Sequence, residues 1–170
     1  MQGKRPQIDQ DVAFIAETAV IEGDVEIGKG CVIFDNVVIE GYPMKIKIGD
    51  HTNIQSGTVI HGTDTAGTTI GAYCTIGHQT LLHGCTLEDY VTIGLGSTVM
   101  GHTLIKKGGF VAAGSLIPER KEFPENALIM GQPGKTVKDL GNNALEEAKK
   151  VAIRYEEEGR LMKSHRIRLT

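Results

Sequence analysis

Aliphatic residues recur every six positions along most of this 170-residue chain. A small or β-branched residue usually stands two positions before each of them, and in a strand both positions face the same side. This repeat predicts very short strands separated by corners, with three repeats making one turn of a parallel β-helix. An all-β fold of five to six turns is expected from the 17 positions in register: Ile15, Ile21, Ile27, Ile33, Ile39, Ile48, Ile54, Ile60, Ile70, Ile76, Leu82, Leu87, Ile93, Val99, Ile105, Val111 and Ile117.

Three cysteines occupy the small inward positions of this pattern, at Cys31, Cys74 and Cys85. Their number is odd and no C-x-x-C pair is present, which argues against a disulfide framework. We expect them to be small core residues rather than redox or metal-binding groups.

Two insertions interrupt the spacing. Residues 40–47 add three residues between Ile39 and Ile48, and residues 61–69 add four between Ile60 and Ile70. Both insertions are expected to form loops, and loops on a rigid scaffold are common places for functional sites.

The repeat is expected to end after Ile117 in an irregular segment that contains prolines. Beyond it, apolar residues at helical spacing predict an amphipathic helix over about 142–163, capped at Asn143 and packed along the outside of the β-helix. We therefore expect a β-helix over 1–140 and a C-terminal helix with a basic tail over 141–170, which together form one domain.

The chain carries 18 Lys and Arg against 21 Asp and Glu, a net charge of −3. This balance gives no electrostatic reason to expect nucleic acid as the main partner. The sequence contains no run of 18 apolar residues that would predict a membrane span, and its first residues lack the apolar core of a signal peptide. The sequence therefore favours a cytoplasmic protein with no membrane partner.

Three histidines, His61, His78 and His83, lie close to the second insertion. His61 follows Ile60 and His83 follows Leu82, and these aliphatics occupy the same side of successive turns. The two histidines are therefore expected on neighbouring strands, whose backbones lie about 4.8 Å apart. Two imidazoles at that spacing can bind one tetrahedral ion at Zn–N distances of about 2.0–2.1 Å.

His78 is expected too far from His83 to share an ion with it in one chain, because five extended residues span roughly 15 Å. A neighbouring chain could supply His78 instead, and a three-fold ring closes such contacts. The spacing favours a homotrimer with three intersubunit metal sites, while ordinary surface histidines remain the alternative. We expect solvated or merely hydrogen-bonded roles for His51, His102 and His165.

The segment NIQSGTVIH at 53–61, followed by IGHQTLLHG at 76–84, resembles the γ-class carbonic anhydrase-like family of trimeric β-helices. The resemblance covers roughly residues 10–140, including the segment GQPGK near the end of the repeat. It implies that the coil is left-handed.

The resemblance also implies the roles of four residues. His61, His78 and His83 would be zinc ligands shared between subunits, and Gln55 would be hydrogen-bonded to metal-bound solvent. The implied reaction is the reversible hydration of CO2 to bicarbonate by metal-bound hydroxide, since zinc lowers the pKa of its bound water to about 7. Imidazole ligands would suit iron or cobalt as well.

The chain departs from the family at three positions. The family has an Arg, a Gly and an Asp before the first histidine, and this chain has Glu40 and Tyr42 in place of the charged pair; Ser56 also stands in place of an Asp. Groups around a metal site often change affinity or activity by about 10–100-fold. We therefore expect metal binding at one ion per subunit with CO2 hydration that is weak or absent, and Glu40 and Asp64 are the candidate proton acceptors.

Two alternative functions stay open. One is CoA-dependent acyl transfer with a histidine as general base, as in other hexapeptide-repeat proteins. The other is a non-catalytic or structural metal-binding trimer.

Overall fold

The chain folds into a parallel β-helix of about seven turns followed by one helix, in a computed structural model that describes residues 4–141 and 143–165. The predicted fold class is confirmed. The elements are, in chain order, β1 (Gln7–Ile8), β2 (Phe14–Ile15), β3 (Val20–Ile27), β4 (Val32–Ile33), β5 (Val38–Ile48), β6 (Asn53–Ile54), β7 (Val59–His61), β8 (Thr69–Ile70), β9 (Thr75–Ile76), β10 (Leu81–His83), β11 (Thr86–Leu87), β12 (Thr92–Ile93), β13 (Thr98–Val99), β14 (Leu104–Ile105), β15 (Phe110–Val111), β16 (Leu116–Ile117), β17 (Glu122–Phe123), β18 (Ala127–Gly131), β19 (Gly134–Asp139) and α1 (Asn143–His165).

The strands form three faces of a triangular column. Face 1 runs through β2, β4, β6, β9, β12, β15 and β18. Face 2 begins with the first halves of β3 and β5 and continues through β7, β10, β13 and β16. Face 3 contains β1, the second halves of β3 and β5, and then β8, β11, β14 and β17. We call the edge between faces 1 and 2 the first corner, and the edge between faces 2 and 3 the second corner.

The predicted number of five to six turns is wrong, because the six-residue spacing does not end at Ile117. Phe123 and Ile129 continue it as buried residues, and their strands β17 and β18 pair in parallel with β14 and β15. At the other end, β1 pairs with β3 and adds a further strand. Prolines in the C-terminal segment fall between these strands, so they do not interrupt the stacking.

The first insertion is not a loop, contrary to expectation. Residues 40–47 lie within the eleven-residue strand β5, which follows β3 around the second corner. The register between the two strands shifts between Gly23 and Val25, where β3 has fewer residues than β5. Gly23 has a φ of +83°, and a side chain there would come within 2.5 Å of the Gly41 carbonyl oxygen. The second insertion does form a loop, between β7 and β8.

The core consists of the inward-facing aliphatic columns predicted from the repeat. On face 1, Ile33, Ile54, Ile76, Ile93 and Val111 stack with no solvent exposure. Burial of such side chains stabilises the fold by about 1.5–3 kcal/mol each. The hydrophobic columns are therefore the main source of stability.

The three cysteines are buried in this core and none is disulfide-bonded. Burial raises the pKa of each thiol to about 12, because the thiolate would lose its hydration. The Cys31 thiol donates a hydrogen bond to the Gly49 carbonyl oxygen at 3.1 Å. Their predicted place as small core residues is confirmed.

Helix α1 begins at Asn143 and ends at His165, close to the predicted bounds, and packs on the N-terminal part of face 1. Ala148 and Ala152 are buried on its inner side, and the ring of Tyr155 packs edge-on against Phe34 at 5.9 Å. No helix in the described part of the chain is both long enough and apolar enough to span a bilayer. Residues 166–170 of the predicted basic tail lie outside the described residues.

A side-chain contact also joins the helix to the β-helix. His51 Nδ1 lies 2.6 Å from Glu156 Oε2, and the His51 ring stacks on Tyr73, which in turn stacks on Tyr90. His51 thus has the hydrogen-bonded role expected for it.

Replacing Ile93 by alanine is expected to lower the free energy of unfolding by about 2–5 kcal/mol, because it leaves a cavity between Ile76 and Val111. Urea unfolding at a fixed protein concentration measures the change. Thr86→Ala is the control, since Thr86 points outward and is exposed on face 3, and we expect a change within about 0.5 kcal/mol. Equal losses in the two variants would contradict the assignment of the core.

Candidate metal centre

His61 and His83 stack at the second corner of the β-helix. They are the last residues of β7 and β10, and they are partners in the parallel register of these strands. Their ring centroids lie 5.4 Å apart with an angle of 25° between the planes. Both side chains are half-buried, so each ring keeps one side open to solvent or to a partner.

The chemistry of this pair fits a metal ion such as zinc. Tetrahedral coordination at Zn–N distances of about 2.0–2.1 Å places two imidazole centroids roughly 5 Å apart, close to the separation found here. Within residues 4–141 and 143–165, no protein group hydrogen-bonds to a ring nitrogen of His61 or His83. The nitrogens are thus free to act as ligands, but two imidazoles alone leave the ion under-coordinated.

His78 lies at the opposite edge of face 2, at the first corner. It follows β9 by two residues, its side chain is exposed, and its carbonyl oxygen accepts a hydrogen bond from Gly96 at 2.8 Å. No group of three His, Cys, Asp or Glu side chains converges on a common point in the described part of the chain. One chain therefore presents the histidine pair and His78 at different corners.

The other candidate residues divide between the same two corners. Glu40 follows Ile39 as His61 follows Ile60, so it lies one strand before His61 at the second corner. Gln55 follows β6 and lies near His78 at the first corner, one turn earlier. The structure thus brings Glu40 together with His61 and His83, and Gln55 together with His78.

Gln55 is only 5% exposed, and one hydrogen bond holds its side chain. Its Nε2 donates to Asn53 Oδ1 at 3.2 Å, and Asn53 Nδ2 donates to Thr75 Oγ1 at 2.9 Å. The amide nitrogen of Gln55 is thereby engaged within the chain, which fixes the orientation of its amide group.

An apolar ladder covers face 2 between the two corners, and sequence reasoning missed it. The side chains of the ladder point outward and pair in register along the column. Among them, Val20 is 49% exposed, Leu81 37% and Leu116 41%. The ladder consists of Val20, Val38, Val59, Leu81, Thr98 and Leu116. Exposed apolar patches of this kind mark interaction surfaces.

Face 3 provides the contrast. Its outward positions are mostly polar and comprise Gln7, Glu26, Lys47, Thr69, Thr86, Leu104 and Glu122. The sequence does contain a signal for the apolar ladder, in the residue directly before each inward aliphatic. This residue is apolar in five of six repeats on face 2 and in one of seven on face 3.

Known proteins are similar in sequence to this chain over most of its length. A carbonic anhydrase of Geobacillus kaustophilus is 36% identical over 163 residues, which make up 96% of this chain and 89% of that protein. A probable carbonic anhydrase of Methanocaldococcus jannaschii is 37% identical over 141 residues, 83% of this chain and 89% of that protein. Gamma carbonic anhydrase 2 of Arabidopsis thaliana is 38% identical over 143 residues. The chain belongs to the γ-class carbonic anhydrase-like family.

Two further facts qualify this membership. The aligned part covers 81% of this γ-class chain but only 51% of the Arabidopsis protein, so the chain spans about half the length of that relative. A scan against protein-family models gives no match.

Solved structures of hexapeptide-repeat proteins have the same fold. A hexapeptide transferase family protein from Anaplasma phagocytophilum superposes with a TM-score of 0.86 at 37% identity, covering 91% of each chain. A mutant of the perosamine N-acetyltransferase from Caulobacter crescentus, solved in complex with CoA and GDP-perosamine, gives a TM-score of 0.64 at 25% identity, over 74% of this γ-class chain and 56% of that one.

Proposed function

We propose that three copies of this chain assemble through face 2 and that each pair of neighbours binds one metal ion, which serves a carbonic anhydrase-like hydration of CO2. The observation that carries the proposal is the position of the histidines. The stacked pair and His78 lie at opposite edges of one apolar face. A surface that presents complementary halves of a site at its two edges is suited to a closed ring of identical subunits.

Burial of the apolar ladder supports the assembly. Each Å² of apolar surface removed from water contributes about 25 cal/mol, and Val20, Leu81 and Leu116 are all more than one third exposed in the single chain. Because face 3 is polar and α1 covers part of face 1, face 2 is the side of the column suited to a partner.

The proposed site combines residues of two chains. His61 and His83 of one subunit and His78 of the next would hold the ion, and a bound zinc would make hydroxide available near neutral pH by lowering the pKa of water. Gln55, held by Asn53, would orient the solvent that attacks CO2. The products are bicarbonate and one proton, and Glu40 would be the first group to accept that proton before it leaves the site.

Weak hydration is the expected activity of the metal-loaded protein. The family resemblance implies an Arg and an Asp at the positions that Glu40 and Tyr42 occupy, and loss of such groups often lowers activity by about 10–100-fold. Stopped-flow CO2 hydration with a pH indicator measures the rate, and the protein without metal is the control. A turnover number of about 10⁶ s⁻¹, the order reached by efficient zinc hydratases, would contradict this interpretation of the substitutions.

Acyl transfer is the second candidate function, and the likeness to the Caulobacter N-acetyltransferase favours it. In that case a histidine would act as a general base and the protein would bind acetyl-CoA without needing a metal. Metal analysis and calorimetric titration with acetyl-CoA distinguish the two functions. A cytoplasmic location stays a prediction.

A further inference from the structure

The loop that follows His61 is an ordered turn. Thr63 Oγ1 accepts hydrogen bonds from the backbone nitrogens of Thr65 at 3.2 Å and Ala66 at 2.9 Å. The Thr63 backbone nitrogen donates to the Ala66 carbonyl oxygen at 2.8 Å. Thr68 Oγ1 closes the loop by donating to the His61 carbonyl oxygen at 2.6 Å. These bonds fix the backbone between the candidate ligand and Thr68.

Two glycines allow this turn to lie along the second corner. A side chain at Gly84 would approach Thr63 Cγ2 to 2.7 Å, and one at Gly101 would approach the same atom to 2.9 Å. Thr63 therefore packs over the next two turns of the β-helix, beside His83. The turn, which also carries Asp64 and Thr65, therefore lies along the same corner of the β-helix as His61 and His83.

The turn ends in contact with His102. Thr65 Oγ1 lies 3.3 Å from His102 Nε2, and the His102 backbone nitrogen donates to the Gly84 carbonyl oxygen at 2.7 Å. His102 thus lies beside Gly84, the residue that follows His83, on the next turn of the β-helix. Its side chain is exposed. Histidine is the residue type suited to exchanging protons with solvent near neutral pH.

His102 forms no ion pair within the described part of the chain, although charged groups lie near it. Asp64 lies in the same turn and is exposed, and Arg120 follows on the next turn, where its backbone nitrogen donates to Gly101 at 2.9 Å. An exposed imidazole held only by a hydroxyl can gain and lose a proton without breaking a salt bridge.

We propose that His102 takes up the proton released by CO2 hydration and passes it to buffer, with the Thr65 hydroxyl as the last link of the path. This inference rests on the proposed function. Attack of water on CO2 gives bicarbonate and one proton. The Thr65 hydroxyl donates its hydrogen to His102 Nε2 and receives another from a water on the histidine side, so the hydroxyl is unchanged. The imidazolium of His102 then releases its proton to a buffer base.

Oxygen-18 exchange between CO2 and water tests the proposal, because it separates two rates. One rate is the interconversion of CO2 and bicarbonate, and the other is the release of labelled water, which requires proton transfer. In weak buffer, His102→Ala is expected to lower the second rate by about tenfold or more and leave the first unchanged. Thr65→Val, which removes only the hydroxyl, is expected to have the same type of effect. His165→Ala is the matched control, since His165 lies at the end of α1.

Two further measurements complete the test. Added imidazole is expected to restore the rate of His102→Ala, and the ¹⁵N spectrum of the His102 ring is expected to change in Thr65→Val at unchanged metal content. If the wild type exchanges label and the His102→Ala variant releases labelled water at the same rate in weak buffer, the relay alone is overturned. A wild type that binds metal but does not exchange label would overturn the proposed function and the relay with it.

Discussion

Replacing His83 by alanine is expected to reduce the metal content of the purified protein from about one ion per chain to background. His83 supplies half of the stacked pair, and in the proposed trimer its loss leaves only His61 on one subunit and His78 on the next. Two imidazoles cannot complete the three-ligand set from which a protein holds catalytic zinc. Elemental analysis after dialysis against a weak chelator measures the content.

Cys74→Ala is the control for this experiment. Cys74 is fully buried within two turns of the site, and its Sγ donates to the Glu88 carbonyl oxygen at 3.2 Å. It is a core residue, so the variant is expected to lose some stability but keep its metal. Loss of metal from Cys74→Ala, or retention of metal by a folded His83→Ala protein, would contradict the assignment of ligands.

If the proposed assembly is correct, replacing Leu81 by lysine is expected to convert the proposed trimer into monomers and to release the metal, although all three histidines remain. Leu81 lies in the middle of the apolar ladder, in register with Val59 and Thr98. Burying an unpaired ammonium group in an interface costs several kcal/mol. Light scattering combined with metal analysis on the same sample measures both effects.

Thr86→Lys provides the matched control on face 3. Thr86 points outward on the polar ladder of that face, in register with Thr69 and Leu104. This variant adds the same charge at the same height of the column and is expected to remain a metal-bound trimer. If Leu81→Lys stays trimeric, or if Thr86→Lys dissociates equally, face 2 is not the interface.

The register of the histidine pair could be predicted from sequence because the repeat fixes it. Each of His61 and His83 follows an aliphatic residue of the same column. A shift of either strand by one residue would turn that aliphatic from the core to solvent, so the pairing of the strands is fixed. The same arithmetic gives the buried position of Cys74. The period of six is thus sufficient to place residues relative to one another within a face.

The ends of the column and the path of β5 could not be predicted in the same way. Phe123 keeps the six-residue spacing, but the prolines around it indicated an irregular exit. Residues 40–47 lack the repeat yet stay extended, because β3 provides a hydrogen-bonding partner around the same corner. Such pairing depends on the neighbouring turn, which a local pattern does not describe.

The hydrogen bonds around the candidate site also cannot be predicted from the spacing of the sequence repeat. The bond from Gln55 to Asn53 and the contact of Thr65 with His102 depend on side-chain rotamers and on the shape of the loop. The loop reaches His102 only because Gly84 and Gly101 leave room for Thr63. None of these relations has a fixed sequence separation.

Mixing two defective chains tests most directly whether the metal site is shared between subunits. His78→Ala and His83→Ala are each expected to bind no metal alone. In trimers formed by coexpressing both, an intact site arises wherever a His78→Ala chain presents its His61 and His83 to the His78 of a His83→Ala chain. Random assembly predicts recovery of about one ion per four chains. Mixed trimers that contain both chains and still bind no metal would contradict the shared site.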